Sequence, residues 1–375
     1  MRKIHMVDLK SQYEKISGDI NSAIQNVIES TAFINGPEVK NFQQDFENYL
    51  KVKHVIPCAN GTDALQVSMM ALGLKPGDEV IAPSFTFVAT AEVIALLGLT
   101  PVLVDVDADT FNIDPAAIEK AITPKTRAIV PVHLFGQTAD MDAIMEIAAK
   151  NKLFVIEDNC QAIGADFTMK DDSKKKAGTI GHVGCTSFFP SKNLGCYGDG
   201  GAIITNDEAL AQKLRVLVNH GMQTRYYHDM IGVNSRLDSI QAVILKIKLK
   251  KLDEYAAARN AVAAYYDNAF KGNPKLKTPV RFKKSTHVFH QYTIVTNGFD
   301  RNKLIEYLNE KGIPAMIYYP VPMHLQKAYL DPRYKSGDFP VTETLARSVI
   351  SLPMHTELDE EQLKYITDSV LEFVK

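Results

Sequence analysis

A lysine in an unusual setting lies near the middle of the chain. Lys192 follows the apolar run CTSFF and the pair Pro190-Ser191, and four glycines come after it by position 201. Glycine lets a backbone approach a ligand closely, so this setting suits a lysine that meets a bound molecule. Desolvation or nearby cations lower the pKa of a lysine amine, which can then attack an aldehyde and form a Schiff base. An isolated lysine is usually a solvated surface charge, and the surrounding glycines favour the reactive role here.

Two adjacent carboxylates end another apolar run. Glu157 and Asp158 close the segment LFVIED at residues 153–158. Neighbouring side chains of a strand face opposite sides of the sheet, so only one of the two can enter a site. A buried carboxylate needs a cationic partner, and a protonated heterocyclic nitrogen would serve. A helix cap or a structural ion pair is the alternative use of such a residue.

Two further segments suit a phosphate group. Gly61 and Thr62 open a predicted helix, whose first N–H groups and positive end attract an anion. Ser187, five residues before Lys192, offers a second hydroxyl. Thr62 is alternatively an ordinary N-cap. Together with an amine for an aldehyde and a carboxylate for a ring nitrogen, these groups predict a site for pyridoxal phosphate.

The order of segments predicts an α/β fold that positions these residues. Apolar runs between residues 80 and 206 alternate with helical stretches, as in a mostly parallel sheet covered on both faces. Ligands bind at the carboxyl ends of such strands, where the candidate residues lie. We expect residues 1–250 to form a large domain that begins with a helical arm. A long helical run over 236–268 leads into a small α+β domain at residues 251–375.

Composition excludes several classes of protein. The 375 residues carry 42 Lys+Arg and 44 Asp+Glu, a net charge of −2, which excludes a strongly basic nucleic-acid binder. The longest uncharged apolar stretch near the middle, residues 93–104, is well short of the ~20 residues that span a bilayer. No apolar segment follows the basic N-terminus, so we expect a cytoplasmic protein with no membrane partner. Four cysteines without a C-x-x-C pair indicate free thiols and no metal site.

The sequence resembles the DegT/DnrJ/EryC1/StrS sugar aminotransferases, a family of fold type I in the aspartate aminotransferase superfamily. The matching segments run in order along essentially the whole chain and include FINGPEV, NGTDAL, PSFTFVATA, IEDNCQAIGA, SFFPSKNLGCYGDGGAI, GVNSRLDSIQA and SLPMH. The resemblance implies a seven-stranded, mostly parallel sheet between helices, with a small C-terminal α+β domain. It also implies pyridoxal 5'-phosphate as cofactor and a homodimer with composite active sites.

The resemblance implies roles for individual residues. Lys192 would hold the cofactor and move the proton, and Asp158 would pair with the ring nitrogen. The implied cofactor-binding residues are Gly61, Thr62, Phe87, Asp158, Gln161, Ser187, Lys192 and Asn234. Phe87 would stack on the ring, Gln161 would lie near its hydroxyl, and Asn234 would reach the phosphate held by the neighbouring subunit. The chain departs from the family at Asn159-Cys160, where small residues are common, and at Tyr318, where many members have histidine.

The resemblance implies a nucleotide-linked ketosugar as substrate, with L-glutamate as the amino donor. Residues 185–203 and 220–245 are most similar to enzymes of bacterial surface polysaccharide biosynthesis that aminate UDP-2-acetamido-2-deoxy-3-oxo-glucuronate at C3. Cationic side chains would bind the diphosphate and the carboxylate of that sugar. The alternative is that these side chains form ion pairs at the surface. Residues 318–329 instead resemble enzymes that act on dTDP-3-keto-6-deoxyhexoses. A C4 ketosugar is a further alternative for the substrate. The candidate substrate-binding residues are Arg225, His228, Arg236, Tyr318, Tyr319 and His324.

Two other classes of function are alternatives to an aminotransferase. The first is a regulatory protein that binds pyridoxal phosphate without turnover, although the sequence offers no DNA-reading helix or basic face. Its spectrum would not respond to L-glutamate, whereas that of an aminotransferase would. A nicotinamide-dependent enzyme is excluded because no G-x-G-x-x-G follows the first strand.

Overall fold

The computed structural model describes residues 2–375. Its strands are β1 (His54–Cys58), β2 (Glu79–Pro83), β3 (Thr100–Val104), β4 (Thr126–Ile129), β5 (Phe154–Asp158), β6 (Asp166–Thr168), β7 (Lys174–Lys176), β8 (Val183–Ser187), β9 (Gly201–Thr205), β10 (Met222–Thr224), β11 (Tyr227–His228), β12 (Leu276–Lys277), β13 (Tyr292–Thr296) and β14 (Val349–Leu352). Its α-helices are α1 (Leu9–Glu14), α2 (Ser17–Ser30), α3 (Pro37–Leu50), α4 (Gly61–Ala71), α5 (Ala89–Leu96), α6 (Pro115–Ala121), α7 (Met141–Asn151), α8 (Glu208–Leu217), α9 (Ser239–Leu249), α10 (Leu252–Phe270), α11 (Arg301–Glu310), α12 (Pro340–Ser348) and α13 (Glu360–Phe373). Short 3-10 turns at Leu134–Gly136, Met323–Leu325 and Lys327–Tyr329 connect some of them.

A seven-stranded sheet forms the centre of the fold, in the order β1-β9-β8-β5-β4-β2-β3. Only β9 runs against its neighbours in this sheet, and the other adjacent pairs are parallel. The carboxyl ends of β1, β2, β5 and β8 therefore meet at one edge. The predicted fold, a mostly parallel seven-stranded sheet between helices, is confirmed.

Helices bury both faces of this sheet. On one face α4 packs Leu65 and Met69 against Ile156 of β5 and Ile203 of β9. On the other face α3 begins with Pro37 after Gly36, which suits the fixed φ of proline at a first helical position. It buries Phe42 and Phe46 four residues apart, and both rings contact Phe188, which follows β8. Burying one such ring contributes roughly 1.5–3 kcal/mol, so α3 anchors the segment that leads to Lys192.

The helical run predicted over 236–268 is two helices rather than one. α9 ends at Leu249 and α10 begins at Leu252, so Lys250 and Lys251 interrupt the run. The proposed domain boundary after residue 250 falls within this interruption. The apolar pattern continues across it because α9 packs against α2 and α3 while α10 packs against α13.

The C-terminal part of the chain contains a second, smaller sheet. Strands β12, β13 and β14 form an antiparallel sheet in that order. Its core includes Tyr266 of α10, Tyr292 of β13 and Ile366 of α13. Ile4, at the other end of the chain, packs into the same core. Among residues 2–375, no helix is both long and apolar enough to cross a membrane.

Candidate active site

A cavity of about 660 Å³ opens at the carboxyl edge of the large sheet. Nine of the residues predicted from the sequence line it together: Gly61, Thr62, Phe87, Asp158, Gln161, Ser187, Lys192, Tyr318 and Tyr319. They come from segments that are far apart in the sequence. The parallel arrangement of the strands is what brings them to one place.

The N-terminus of α4 forms one end of the cavity. Asn60 caps the helix, since its Oδ1 accepts a hydrogen bond from the Asp63 N–H at 2.8 Å. Thr62 is therefore not the N-cap, and its side chain belongs to the cavity wall. A Cβ on Gly61 would lie 2.7 Å from Ser187 Cβ and 2.9 Å from Cys160 Sγ, so the close approach requires glycine. This glycine, the helix end and two hydroxyls form a cradle of the size and polarity that a phosphate needs.

The two carboxylates at the end of β5 point to opposite faces of the sheet, as predicted. Glu157 is completely buried and accepts hydrogen bonds from backbone N–H groups, including that of Gly178 at 2.8 Å, and from His133 Nε2 at 2.8 Å. Asp158 lines the cavity. Its Oδ2 accepts from Thr90 Oγ1 at 2.9 Å, and its Oδ1 accepts from the Cys160 N–H at 3.2 Å.

Lys192 lies in the loop between β8 and β9, and this loop is fixed from several sides. The Lys192 N–H donates to the Phe189 carbonyl at 2.8 Å, and Asn193 Nδ2 donates to the Val288 carbonyl at 2.8 Å. Lys248 of α9 donates from Nζ to the Gly195 carbonyl at 2.6 Å. Burial lowers the pKa of the Lys192 amine, while nearby Cys160 and Asp158 act in the opposite direction. The lysine thus has the environment of a nucleophile and proton carrier.

Aromatic and amide groups line the same cavity as Asp158 and Lys192. Phe87 is 52% exposed, and its ring centroid lies 6.1 Å from that of Tyr319. Gln161 accepts from the Phe135 N–H at 2.8 Å and donates from Nε2 to the Tyr319 hydroxyl at 3.0 Å. Burial raises the pKa of the Tyr319 phenol above its usual range. An exposed ring beside a fixed amide and a neutral phenol suits a flat, polar heterocycle.

Comparison with known proteins decides the family. Residues 14–371 match the DegT/DnrJ/EryC1/StrS aminotransferase family. The chain belongs to this family. It is 46% identical to the UDP-2-acetamido-2-deoxy-3-oxo-D-glucuronate aminotransferase of Pseudomonas aeruginosa, over 97% of this chain and 98% of that relative. It is equally identical, over 99% of both chains, to a Geobacillus stearothermophilus protein named "Pleiotropic regulatory protein".

Solved structures are similar to this chain over its whole length. The structure of Streptomyces venezuelae DesV in complex with a ketimine intermediate has a TM-score of 0.95 at 40% identity, covering 100% of this chain and 99% of that one. A Bacillus subtilis protein with bound cofactor PMP has a TM-score of 0.91 at 32% identity, covering 100% of this chain and 86% of that one. The predicted family, fold type, aminotransferase activity and pyridoxal phosphate cofactor are confirmed. The cradle at α4, the Asp158 carboxylate and the Lys192 amine line one cavity, and their chemistry fits the phosphate, the ring nitrogen and the aldehyde of that cofactor.

His324 does not line the cavity, which corrects the expectation that it contacts substrate there. The residue is only 1% exposed. Its Nδ1 lies 2.8 Å from Ser84 Oγ, and its Nε2 lies 3.2 Å from Glu343 Oε1. Both ring nitrogens are therefore engaged in a buried network that connects the segment after β2 with α12.

Four other predicted residues lie outside the cavity of their own chain, on the segment from β10 to the start of α9. Arg225 stacks on Tyr226, and His228 makes a hydrogen bond with the His220 carbonyl. Arg236 donates to Asn219 Oδ1 at 3.3 Å, and Asn234 is exposed. Their roles at the site of a second subunit stay predictions from the resemblance.

Thr90, which hydrogen-bonds Asp158, and two residues of the cavity wall were missed at the level of sequence. Thr90 lies in the segment PSFTFVATA but is separated from Asp158 by the length of several elements, so no local pattern connects them. His290 and Gln291, directly before β13, line the cavity. The polar pair at the start of this strand was the available signal in the sequence.

Proposed function

We propose that this protein transfers an amino group from L-glutamate to a nucleotide-linked ketosugar, at C3 of UDP-2-acetamido-2-deoxy-3-oxo-glucuronate. The observation that carries the proposal is the placement of the Lys192 amine and the Asp158 carboxylate in one cavity with the cradle at α4. When bound, pyridoxal phosphate supplies an electron sink for the bonds to a reacting carbon.

The residues of the chain have separate tasks in this proposal. Gly61, Thr62 and Ser187 hold the phosphate, and Asp158 holds the proton on the ring nitrogen. The Lys192 amine, whose pKa burial lowers, takes a proton from the reacting carbon of the donor and returns one to the sugar carbon. Phe87 keeps the ring in place from one side.

Charge in the cavity bears on the substrate. Among the described residues that line it, Lys192 is the one lysine or arginine, whereas Asp63, Asp158 and Asp199 are acidic. A diphosphate and a sugar carboxylate need further cations. We therefore include in the proposal a homodimer in which Arg225, His228 and Arg236 complete the cavity of the neighbouring subunit.

The surface around these cations supports an interface. Tyr226 is 76% exposed and Ile231 is 89% exposed, and both flank β11. Phe33 and Ile34, which precede α3, are about half exposed as well, and Ile34 pairs with Asp238, two residues after Arg236. Large exposed apolar side chains grouped in this way mark a surface that another protein covers.

A second candidate is amination of a dTDP-3-keto-6-deoxyhexose, which has no carboxylate. The low cationic charge of the cavity within one chain favours this second candidate. The name of a relative from Streptomyces venezuelae also supports it. That protein, 40% identical over 100% of this chain, is named dTDP-3-amino-3,4,6-trideoxy-alpha-D-glucose transaminase.

The experiment offers purified protein L-glutamate and a panel of UDP- and dTDP-linked ketosugars, and locates the new amine by NMR. We expect bleaching of the cofactor colour by L-glutamate and amination of the UDP-linked 3-oxo-uronate at C3. Preference for a dTDP-linked 3-ketosugar would establish the second candidate instead. A spectrum that L-glutamate leaves unchanged would contradict transamination and favour a regulatory protein.

A further inference from the structure

A buried histidine in the cavity wall has no role in the proposal so far. His290 is 6% exposed and lines the cavity that contains Lys192. Its Nδ1 is fully buried and finds no hydrogen-bond partner within residues 2–375. Nε2 is the ring nitrogen left to meet a ligand.

The backbone on both sides of His290 is held tightly. Arg259 of α10, itself 3% exposed, donates from Nη1 to the Phe289 carbonyl at 3.0 Å and to the Met354 carbonyl at 3.0 Å. The Val288 carbonyl accepts from Asn193, the residue next to Lys192. The Gln291 N–H donates to the Phe135 carbonyl. The backbone that carries the imidazole is thus fixed relative to the lysine loop, as that of a residue that orients a ligand must be.

The charges around the ring keep it neutral. Burial holds the pKa of His290 well below its usual range, and the positive charges of Lys192 and Arg259 act in the same direction. A neutral imidazole has one N–H donor and one lone pair. It binds a hydroxyl or carbonyl oxygen well but offers no charge to a carboxylate or a diphosphate.

We propose that His290 is a specificity-determining residue that hydrogen-bonds a hydroxyl or carbonyl oxygen of the sugar close to the carbon that receives the amine. This inference rests on the proposed function. L-Glutamate carries two carboxylates, which cationic side chains bind most strongly, so we assign the neutral ring to the sugar. His290 therefore distinguishes the two substrates that use Lys192 in turn, and it acts on the sugar alone.

The test compares His290→Leu, which removes the polar group at similar size, with His290→Asn, which keeps one. For the ketosugar that the wild type aminates, we expect the KM of His290→Leu to rise about tenfold, the effect of one neutral hydrogen bond. The dissociation constant of the aminated sugar, measured by calorimetry, is expected to rise by the same factor. His290→Asn is expected to stay within threefold of the wild type, and bleaching by L-glutamate is expected to keep its rate in both variants.

His355 provides a matched control. It is 3% exposed, its Nε2 is also unpaired within the described chain, and burial beside Arg259 lowers its pKa to about 4, but it does not line the cavity. We expect His355→Leu to change thermal stability and leave the KM for the sugar unchanged. A KM and a dissociation constant within twofold of the wild type in His290→Leu would overturn the inference, as would an equal loss in the reaction with L-glutamate. A wild type that aminates no ketosugar would overturn the proposed function and this inference with it, a result seen before any variant is made.

Discussion

Replacing Asp158 by asparagine removes a charge from the site while its shape is kept. The two carboxylate oxygens accept from Thr90 Oγ1 at 2.9 Å and from the Cys160 N–H at 3.2 Å. In Asp158→Asn the amide oxygen can face the Cys160 N–H, and the amide nitrogen can donate to the Thr90 hydroxyl, which also accepts. Both hydrogen bonds are retained, so we expect a folded protein that differs in charge alone.

The missing charge should appear in the rate. In the proposed function Asp158 holds the proton of the ring nitrogen. Removing one prearranged electrostatic group from a buried site costs about 3 kcal/mol of transition-state stabilisation, or about 10²-fold in rate. The assay follows bleaching of the cofactor absorbance by L-glutamate in a stopped-flow instrument. A rate within threefold of the wild type would refute the role of Asp158.

Glu157, the preceding residue on the opposite face, is the control for this prediction. Glu157→Gln places an amide among backbone N–H donors such as those of Gly178 and Ile180, at 2.8 Å and 2.6 Å from the carboxylate. We expect a loss of about 1–3 kcal/mol in the free energy of unfolding, because one buried donor then lacks an acceptor. The rate with L-glutamate should stay within threefold in the folded variant. An equal fall in rate would show that the Asp158 effect is not specific to the cavity face.

Three further predictions concern the cradle, the lysine loop and the dimer. In Gly61→Ala a Cβ would meet Ser187 Cβ at 2.7 Å and Cys160 Sγ at 2.9 Å. The dissociation constant of pyridoxal phosphate, measured by absorbance titration, should therefore rise at least about tenfold. An unchanged dissociation constant would disprove the phosphate-binding role of the cradle. Burial lowers the pKa of Lys248 from 10.5 to about 8, so its charge opposes folding below pH 8, and this penalty disappears as the pH rises to about 10.5. Urea unfolding should therefore show the wild type gaining up to about 3 kcal/mol relative to Lys248→Met over that interval, and a constant difference would contradict the buried charge. Mixing inactive Lys192→Ala with Asn234→Ala should restore up to about a quarter of the wild-type activity if Asn234 serves the site of the neighbouring subunit. If activity does not recover when the subunits exchange, the result counts against composite sites.

The sequence predicted the groups that local rules govern. Strand alternation placed Asp158 and Glu157 on opposite faces, and the parallel sheet placed Lys192, Gly61 and Asp158 at one edge. The alternative use of Thr62 as the N-cap is wrong, because Asn60, two residues earlier, caps α4. His324 was assigned from the segment around it, and that segment could not reveal the buried network with Ser84 and Glu343 that occupies its ring.

Long-range contacts were beyond the sequence for a different reason. Thr90 reaches Asp158 and Asn193 reaches Val288 only because sheet order and the small sheet bring distant segments together. A single sequence contains no periodic signal for such pairs. The break at Lys250-Lys251 was missed because apolar residues continue at helical spacing on both sides of it.

Attachment of the cofactor to Lys192 can be measured without knowing the sugar. Borohydride reduction of the resting holoenzyme fixes pyridoxal phosphate to the amine that holds it, and digestion followed by mass spectrometry locates the label. We predict a single labelled peptide, modified at Lys192. A label on another lysine, such as buried Lys248, or no label at all would contradict the assignment of the active site.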